Sequence, residues 1–281
     1  MLLEGTKIRD QIKAGCVKTI SGFARPPNLT AILVGENAAS KRYLKHKQKA
    51  CFDVGIESHI VLLPQETTQD ALEKKINELN DNPLVDGILL QLPLPINLNA
   101  LKAIETIDPT KDVDGLHPIN FGYLVQGSDL GFIPCTPLGI QTLLKSYDIT
   151  VEQKHVVICG RSNIVGKPLA NLFLQKNHLA NATVTCVHSQ TKNIANLCKL
   201  ADILVVAIGR PKFVTKEFVK KGACVIDVGI NEIEGKLVGD VDFENVKTIA
   251  SSISPVPKGV GPMTIAMLLT NTIKAYQNRV L

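Results

Sequence analysis

Short apolar runs rich in Val and Ile alternate with helix-period stretches along most of this chain of 281 residues. LTAILVG (29–35) reads as a buried strand and 37–54 as a helix. IESHIVLLP (56–64) is the next strand, 68–81 the next helix, and LVDGILLQL (84–92) a third strand. Strands that are apolar on both faces, with helices between them, belong in a parallel sheet covered on both sides. A polar, turn-rich stretch, KDVDGLHPIN (111–120), follows. PCTPLGIQTLLKSYDI then reads as a helix starting at Thr136, with Pro137 at its first position, where a missing N–H costs nothing. This helix is expected to leave the first domain. A second series supplies strands HVVICG (155–160), ATVTCVH (182–188), ADILVVAIG (201–209) and ACVIDVGI (223–230). The chain closes with a Pro-initiated amphipathic helix, GPMTIAMLLTNTIKAYQNRV, with positions 265, 268, 269, 272 and 276 at helical spacing. The expected fold is α/β: two βα-type domains, the second a Rossmann-like parallel sheet, with a ligand cleft between them.

Composition excludes several classes. Hydrophobic residues make up 45% and charged residues 20%, the balance of a globular protein rather than a disordered or fibrous one. The formal net charge of +5 suits an anionic small molecule and is too weak to argue for nucleic acid. With no Trp and 4% aromatic residues, there is no stacking platform for single strands. The seven Cys lack CxxC spacing and mostly sit in apolar runs. They read as buried small hydrophobes in a reducing compartment, and no metal site is expected. MLLEGTKIRD has no apolar stretch of signal-peptide length, and no run approaches a membrane span. A cytoplasmic protein without membrane partners is therefore expected.

In the second half, HVVICGRSNIVGKPLANLFLQKN is strand, Gly turn and helix, and N–H groups at such a helix start favour a phosphate. The GxGxxG fingerprint would need Gly at 160, 162 and 165; the chain has Gly160, Ser162 and Val165, with a glycine at 166. The turn is thus also compatible with a connection that binds nothing. Arg161 places a cation in it. After the second strand an NAD-preferring protein would show an acid for the ribose hydroxyls, whereas His188-Ser189-Gln190-Thr191-Lys192 has none. A hydroxyl with nearby cations suits the extra phosphate of NADP.

In the first half, SKRYLKHKQKA (40–50) is densely basic. Placed on a helix at about 100° per residue, Ser40, Tyr43, Leu44, Ala50, Cys51 and Val54 fall within roughly 60° of Lys47. Lys41, Arg42, Lys45 and Lys49 fall on the opposite, solvated side. Lys47 points where the apolar residues point. It either snorkels out along its methylenes or is held partly desolvated, which lowers a lysine pKa toward a useful base. Gln91 ends the third strand, on the edge where open α/β sheets bind ligands. It could orient a lysine or a substrate, or merely cap free backbone. Asp112 and Asp114 precede Gly115 in a turn; they could bond local N–H groups, or one of them could recognise an amino-substituted heterocycle.

SKRYLKHKQKAC, DGILLQLPLP, KDVDGLHPIN, PCTPLG, GRSNIVGKPLA, ADILVVAIGRP, VIDVGIN, LVGDVDF and PVPKGVGPMT, in this order, resemble the bifunctional methylenetetrahydrofolate dehydrogenase/cyclohydrolases. The resemblance runs from about residue 30 to the C-terminus. It implies oxidation of 5,10-methylenetetrahydrofolate by NADP, then hydrolysis of the methenyl cation to 10-formyltetrahydrofolate. It implies a folate-binding catalytic domain, 1–137 with the helix 262–281, and an NADP-binding domain, 138–261. By motif, the YxxxK pair falls on Tyr43 and Lys47, the QLPLP glutamine on Gln91 with Leu90 and Leu92 beside it, and the second Asp of DVDG on Asp114. Pro257, Gly259, Gly261, Pro262 and Thr264 would contact folate. Gly160, Arg161, Ser162, Ser189 and Ile230 would contact the cofactor. A cytosolic homodimer is implied by analogy. One departure stands out: the family often shows PGGVGP, and Lys258 replaces its first glycine here, which speaks against a glycine-requiring backbone angle at that point. That cation could reach the substrate's glutamate tail or simply be solvated.

On this reading Tyr43 packs on the folate rings, and a neutral Lys47 oriented by Gln91 serves the water-addition step. Asp114 holds the pterin through charge-assisted bonds. Two alternatives stay open: a dehydrogenase alone, or a binding protein without activity. The short-chain dehydrogenases also use YxxxK, but there it follows the Gly-rich turn, and here it precedes GRSNIVG.

Overall fold

Two all-parallel sheets carry the βα alternation of the sequence. The structure is a computed structural model that describes residues 1–280. The chain begins with α1 (Gly5–Ile20), β1 (Asn28–Val34), α2 (Ala38–Val54), β2 (Glu57–Leu63), α3 (Gln69–Asp81) and β3 (Gly87–Leu90). It continues through α4 (Ala100–Thr106), α5 (Pro118–Gln126), α6 (Cys135–Ser146), β4 (His155–Cys159), α7 (Gly166–Leu174), β5 (Thr183–Val187) and α8 (Ile194–Cys198). Then come β6 (Ile203–Val206), β7 (Cys224–Asp227), β8 (Asn231–Ile233), β9 (Lys236–Val238), α9 (Phe243–Val246), β10 (Ser252–Ile253) and α10 (Val260–Val280). The elements divide into two compact units. One gathers residues 11–123, 128–135 and 265 onward; the other gathers 1–10, 124–127 and 136–264.

In the first unit the strand order is β2-β1-β3. Ile32, Val34, Leu72, Ile76, Ile88, Leu90 and Leu98 form one buried apolar cluster, as strands covered by helices require. The free edge of β3 is covered by the stretch that reads as polar in sequence. The Ile88 N–H donates to the Lys111 carbonyl at 2.7 Å, and Asp112 bridges Ile88 in parallel. KDVDGLHPIN is therefore only partly a turn. Lys111, Asp112, His117 and Asn120 in it are buried, and α5 begins at Pro118.

In the second unit the order is β10-β7-β6-β4-β5. This is the doubly wound order 2-1-3-4-5, which reverses between its first and third strands, here β4 and β6. Val157, Cys159, Leu204, Val206, Val225 and Ile253 fill one side of this sheet's core. The last strand, β10, was not foreseen; two residues are too short for a periodic signal.

Other expectations are corrected. The helix expected from Thr136 starts at Cys135, so Pro137 is its third residue. A proline there still sacrifices no bond, because the first turn has no intrahelical acceptors for its N–H groups. The last helix starts at Val260, two residues before Pro262. It is not amphipathic: Met263, Ala266, Met267, Leu268, Leu269, Asn271, Thr272, Ile273, Ala275 and Tyr276 are all buried, which surrounds the axis. The buried Thr272 satisfies its hydroxyl on the Leu268 carbonyl at 2.8 Å. Lys258 does take the backbone angle a glycine would, at φ +85°. Its carbonyl accepts from Gly5 N–H at 2.8 Å, and Gly259 N–H donates to Pro255 at 2.9 Å. These bonds hold a non-glycine residue at a left-handed angle that costs roughly 1–2 kcal/mol.

Lys111 explains how α3 ends. Its ammonium donates to the carbonyls of Leu79 at 2.9 Å, Asn80 at 2.6 Å and Asn82 at 2.8 Å. These are last-turn acceptors that the helix itself leaves open. Burial first, then the nearby Arg279 cation, pull its pKa down to about 8. Lys111→Ala should cost about 2–3 kcal/mol, because three carbonyls at the helix end lose a shared charged donor. A urea denaturation midpoint equal to that of the wild type would show that these carbonyls find other partners.

Candidate active site

The basic stretch folds into α2, started by Asn37, whose side chain accepts from Ser40 N–H at 2.9 Å. The helix ends at Gly55, at φ +84°. Ser40, Leu44, Lys47, Ala50, Cys51 and Val54 are its buried residues, as the spacing requires. Arg42, Lys45 and Lys49 are exposed; Lys41 is half-buried and pairs with Glu36.

Lys47 is 7% exposed. Its ammonium donates to Gln91 Oε1 at 3.3 Å and lies 4.5 Å from the centroid of the Tyr43 ring. Gln91 stands just past β3, its N–H donating to the Ile32 carbonyl at 2.9 Å. Its amide serves both purposes foreseen for it: Oε1 accepts from Lys47, and Nε2 donates to the Leu92 carbonyl at 2.6 Å. The second bond fixes which end of the amide faces the lysine. Burial lowers the Lys47 pKa, while Asp114, Cys135 and Cys51 work against that shift. Burial, then Asp114, push the Tyr43 phenol above its usual range, so it stays protonated.

The two aspartates of the DVDG turn divide their tasks. Asp112 is 2% exposed and is consumed locally, accepting from His117 N–H at 2.7 Å and Asn120 Nδ2 at 2.9 Å. Asp114 is half-buried and bears electrostatically on Tyr43, Lys47 and Cys135. The pairing of 111–113 with β3 places Asp114 beside the end of that strand. Leu90 is buried in the apolar cluster, and Leu92 is half-buried against it.

Two residues around this group were not singled out in sequence. Asn271 on α10 donates to the carbonyls of Val113 at 2.9 Å and Ile133 at 3.1 Å, and lies 3.7 Å from Cys135 Sγ. It thereby ties Val113, the neighbour of Asp114, to Ile133 in the segment before α6. The signal was a lone amide in the apolar run of α10. Cys135, read only as a small hydrophobe, donates to the Val113 carbonyl at 3.4 Å. Burial and Asp114 raise its pKa, which keeps the thiol neutral.

The remaining site residues belong to the second unit. Pro257, Gly259, Gly261, Pro262 and Thr264 lie on the loop before α10 and in its first turns; Thr264 Oγ1 shares a hydrogen bond with Thr136 Oγ1 at 3.1 Å. Gly160 follows β4 at φ +122°, and a Cβ there would meet the Ala207 carbonyl oxygen at 2.2 Å. Ala207 follows β6, so Gly160 marks the point where strand order reverses and ligands bind. Arg161 and Ser162 are exposed in the turn leading to α7, and Ser189 is exposed beyond β5. Ile230 is 61% exposed beyond β7. A glycine cradle, a free cation-bearing turn and the absence of an acid after β5 fit a dinucleotide with an extra phosphate.

The family model described as the catalytic domain of tetrahydrofolate dehydrogenase/cyclohydrolase matches residues 3–114, and the one described as its NAD(P)-binding domain matches residues 134–280. The chain belongs to this family. Its relatives include the bifunctional protein FolD of Bacillus cytotoxicus, 55% identical over 270 residues, covering 96% of this chain and 92% of that one. FolD of Nitratidesulfovibrio vulgaris is 52% identical over 272 residues, covering 97% and 95%. Among solved structures, the bifunctional FolD of Campylobacter jejuni is 46% identical with a TM-score of 0.95, covering 100% of this chain and 99% of that one. The Trypanosoma brucei FolD, solved with NADP and an inhibitor, is 36% identical with a TM-score of 0.92, covering 100% and 98%.

Gly160→Ala should weaken NADP binding at least about tenfold, since the added methyl has only a backbone oxygen to displace. Titration calorimetry with NADP checks this, and an unchanged affinity would remove Gly160 from the cradle.

Proposed function

We infer that this chain is a bifunctional enzyme of one-carbon metabolism. It oxidises 5,10-methylenetetrahydrofolate to 5,10-methenyltetrahydrofolate with NADP and hydrolyses the product to 10-formyltetrahydrofolate. The observation that carries the reading is Lys47, turned into the protein and bonded to Gln91 in a chain matched by both family domains.

NADP, held at Gly160, Arg161, Ser162, Ser189 and Ile230, would supply the hydride acceptor. The folate nitrogen expels that hydride, so the step asks the protein for orientation rather than for a strong base. Tyr43 offers a ring face against which the folate rings can pack. Asp114 accepts from the amino and ring N–H groups of the pterin, each bond contributing about 1.5–3 kcal/mol. In the hydrolytic step, water adds to a cationic carbon. Lys47 in its neutral form donates one N–H to Gln91 Oε1 and keeps a lone pair for the water proton. Its low exposure supports that role, because desolvation favours the neutral amine.

The same reading makes the protein a cytoplasmic homodimer that supplies formyl groups to purine biosynthesis. β2 supports the dimer: it is an outer strand of its sheet, with Leu62 on it 62% exposed and Phe52 just before it 83% exposed. No helix among the described residues is long and apolar enough to cross a membrane.

Lys47→Met should suppress hydrolysis of methenyltetrahydrofolate far more than hydride transfer, with the two followed together by methenyl and NADPH absorbance. An equal fall in both would overturn the base assignment. Asp114→Asn should raise the Michaelis constant for folate about tenfold or more; unchanged kinetics would remove Asp114 from the site.

A further inference from the structure

Two buried carboxylates stand in series behind the cofactor side of the five-stranded sheet. Asp227 ends β7 and is 2% exposed; Asp240, between β9 and α9, is 0% exposed. Asp227 accepts from three backbone N–H groups: Gly229 at 3.1 Å, Asp240 at 2.9 Å and Val241 at 3.0 Å. Asp240 in turn accepts from the N–H groups of Ile208 at 2.7 Å and Gly209 at 2.9 Å through one oxygen, and from Asn231 Nδ2 at 2.9 Å through the other. The chain leaves room for both groups. A Cβ on Gly239 would sit 1.8 Å from an Asp227 oxygen. Five N–H groups and one amide thus converge on the two acids.

These bonds do not end in bulk structure. Ile208 and Gly209 directly follow Ala207, whose carbonyl is the wall against which Gly160 rests. Gly229 and Asn231 flank Ile230 on either side, and each is held by one of the two acids. Both walls of the dinucleotide cradle are therefore referred to one side chain. We propose that Asp240, backed by Asp227, is a positioning residue for NADP: it sets the spacing between the loop after β6 and the turn that carries Ile230. Three hydrogen bonds from three residues fix that spacing, and no cofactor atom need touch the carboxylate. The proposal rests on the NADP-dependent activity inferred above.

Asp240→Asn keeps the shape but sets two amide donors against each other, because one oxygen still serves Ile208 and Gly209 while the new NH2 group faces Asn231. The Michaelis constant for NADP should rise about tenfold or more. Methenyltetrahydrofolate hydrolysis, which uses no NADP, should continue at the wild-type rate. Combining Asp240→Asn with Asn231→Asp restores a donor-to-acceptor pair and should recover most of the NADP affinity. An unchanged constant for NADP, an equal loss of both activities, or no recovery in the double variant would each overturn the proposal. Should Asp240→Asn fail to fold, Asn231→Ala removes only one of the bonds and should still raise the NADP constant; no rise would count against the proposal. A wild-type protein that reduces no NADP with methylenetetrahydrofolate would instead refute the functional reading itself.

Discussion

A lysine side chain taken out of water, with an amide oxygen and an aromatic face for company, is the constraint on which the folate half depends. Burying an ammonium is costly unless it is paired or sheds its proton. Here Asp114 pulls one way and burial the other, and burial is the larger influence. The surrounding fold keeps the balance fixed. Asn37 starts α2 in the register that turns Lys47 inward. β3 delivers Gln91 at its end, and the 111–113 segment pairs along β3 to deliver Asp114. Asn271 on α10 then ties Val113, next to Asp114, to Ile133 in the segment before α6.

The nucleotide half solves a different problem with the same economy of charge. Its strand order reverses between β4 and β6, and a glycine at the reversal lets backbone approach backbone. The loops around that point pack Ile208, Phe213, Val214 and Val241 against the sheet's apolar cluster. Two buried acids collect their N–H groups, so hydrogen bonds fix the loop backbone where apolar packing alone leaves its polar groups unpaired.

Much of this was legible in the sequence, and the exceptions have physical causes. The inward Lys47 followed from helical periodicity, because its neighbours on that face are apolar and those opposite are charged. The seven expected strands were visible as short apolar runs between helix-period stretches, although the edge strands β2 and β5 are half-buried or exposed along most of their length. α1 was not: in GTKIRDQIKAGCVKTI only Gly5, Ile8 and Cys16 are buried, so its periodic signal is thin. The different fates of Asp112 and Asp114 could not be read from a turn containing both, since the outcome depends on the pairing of that turn with β3. The left-handed angle at Lys258 contradicted the expectation drawn from its side chain, because backbone bonds from Gly5 and to Pro255 impose it. Asp227 and Asp240 lay in recognised motifs, but nothing in their spacing revealed that one binds the backbone of the other.

The most direct measurement is the proton affinity of Lys47 itself. NMR titration of protein labelled at lysine side chains, with the Lys47→Arg variant to assign the signal, reports it without reference to turnover. A pKa clearly below the 10.5 of an ordinary lysine is the expected result. A value at or above that of the exposed lysines would contradict a desolvated amine at this position.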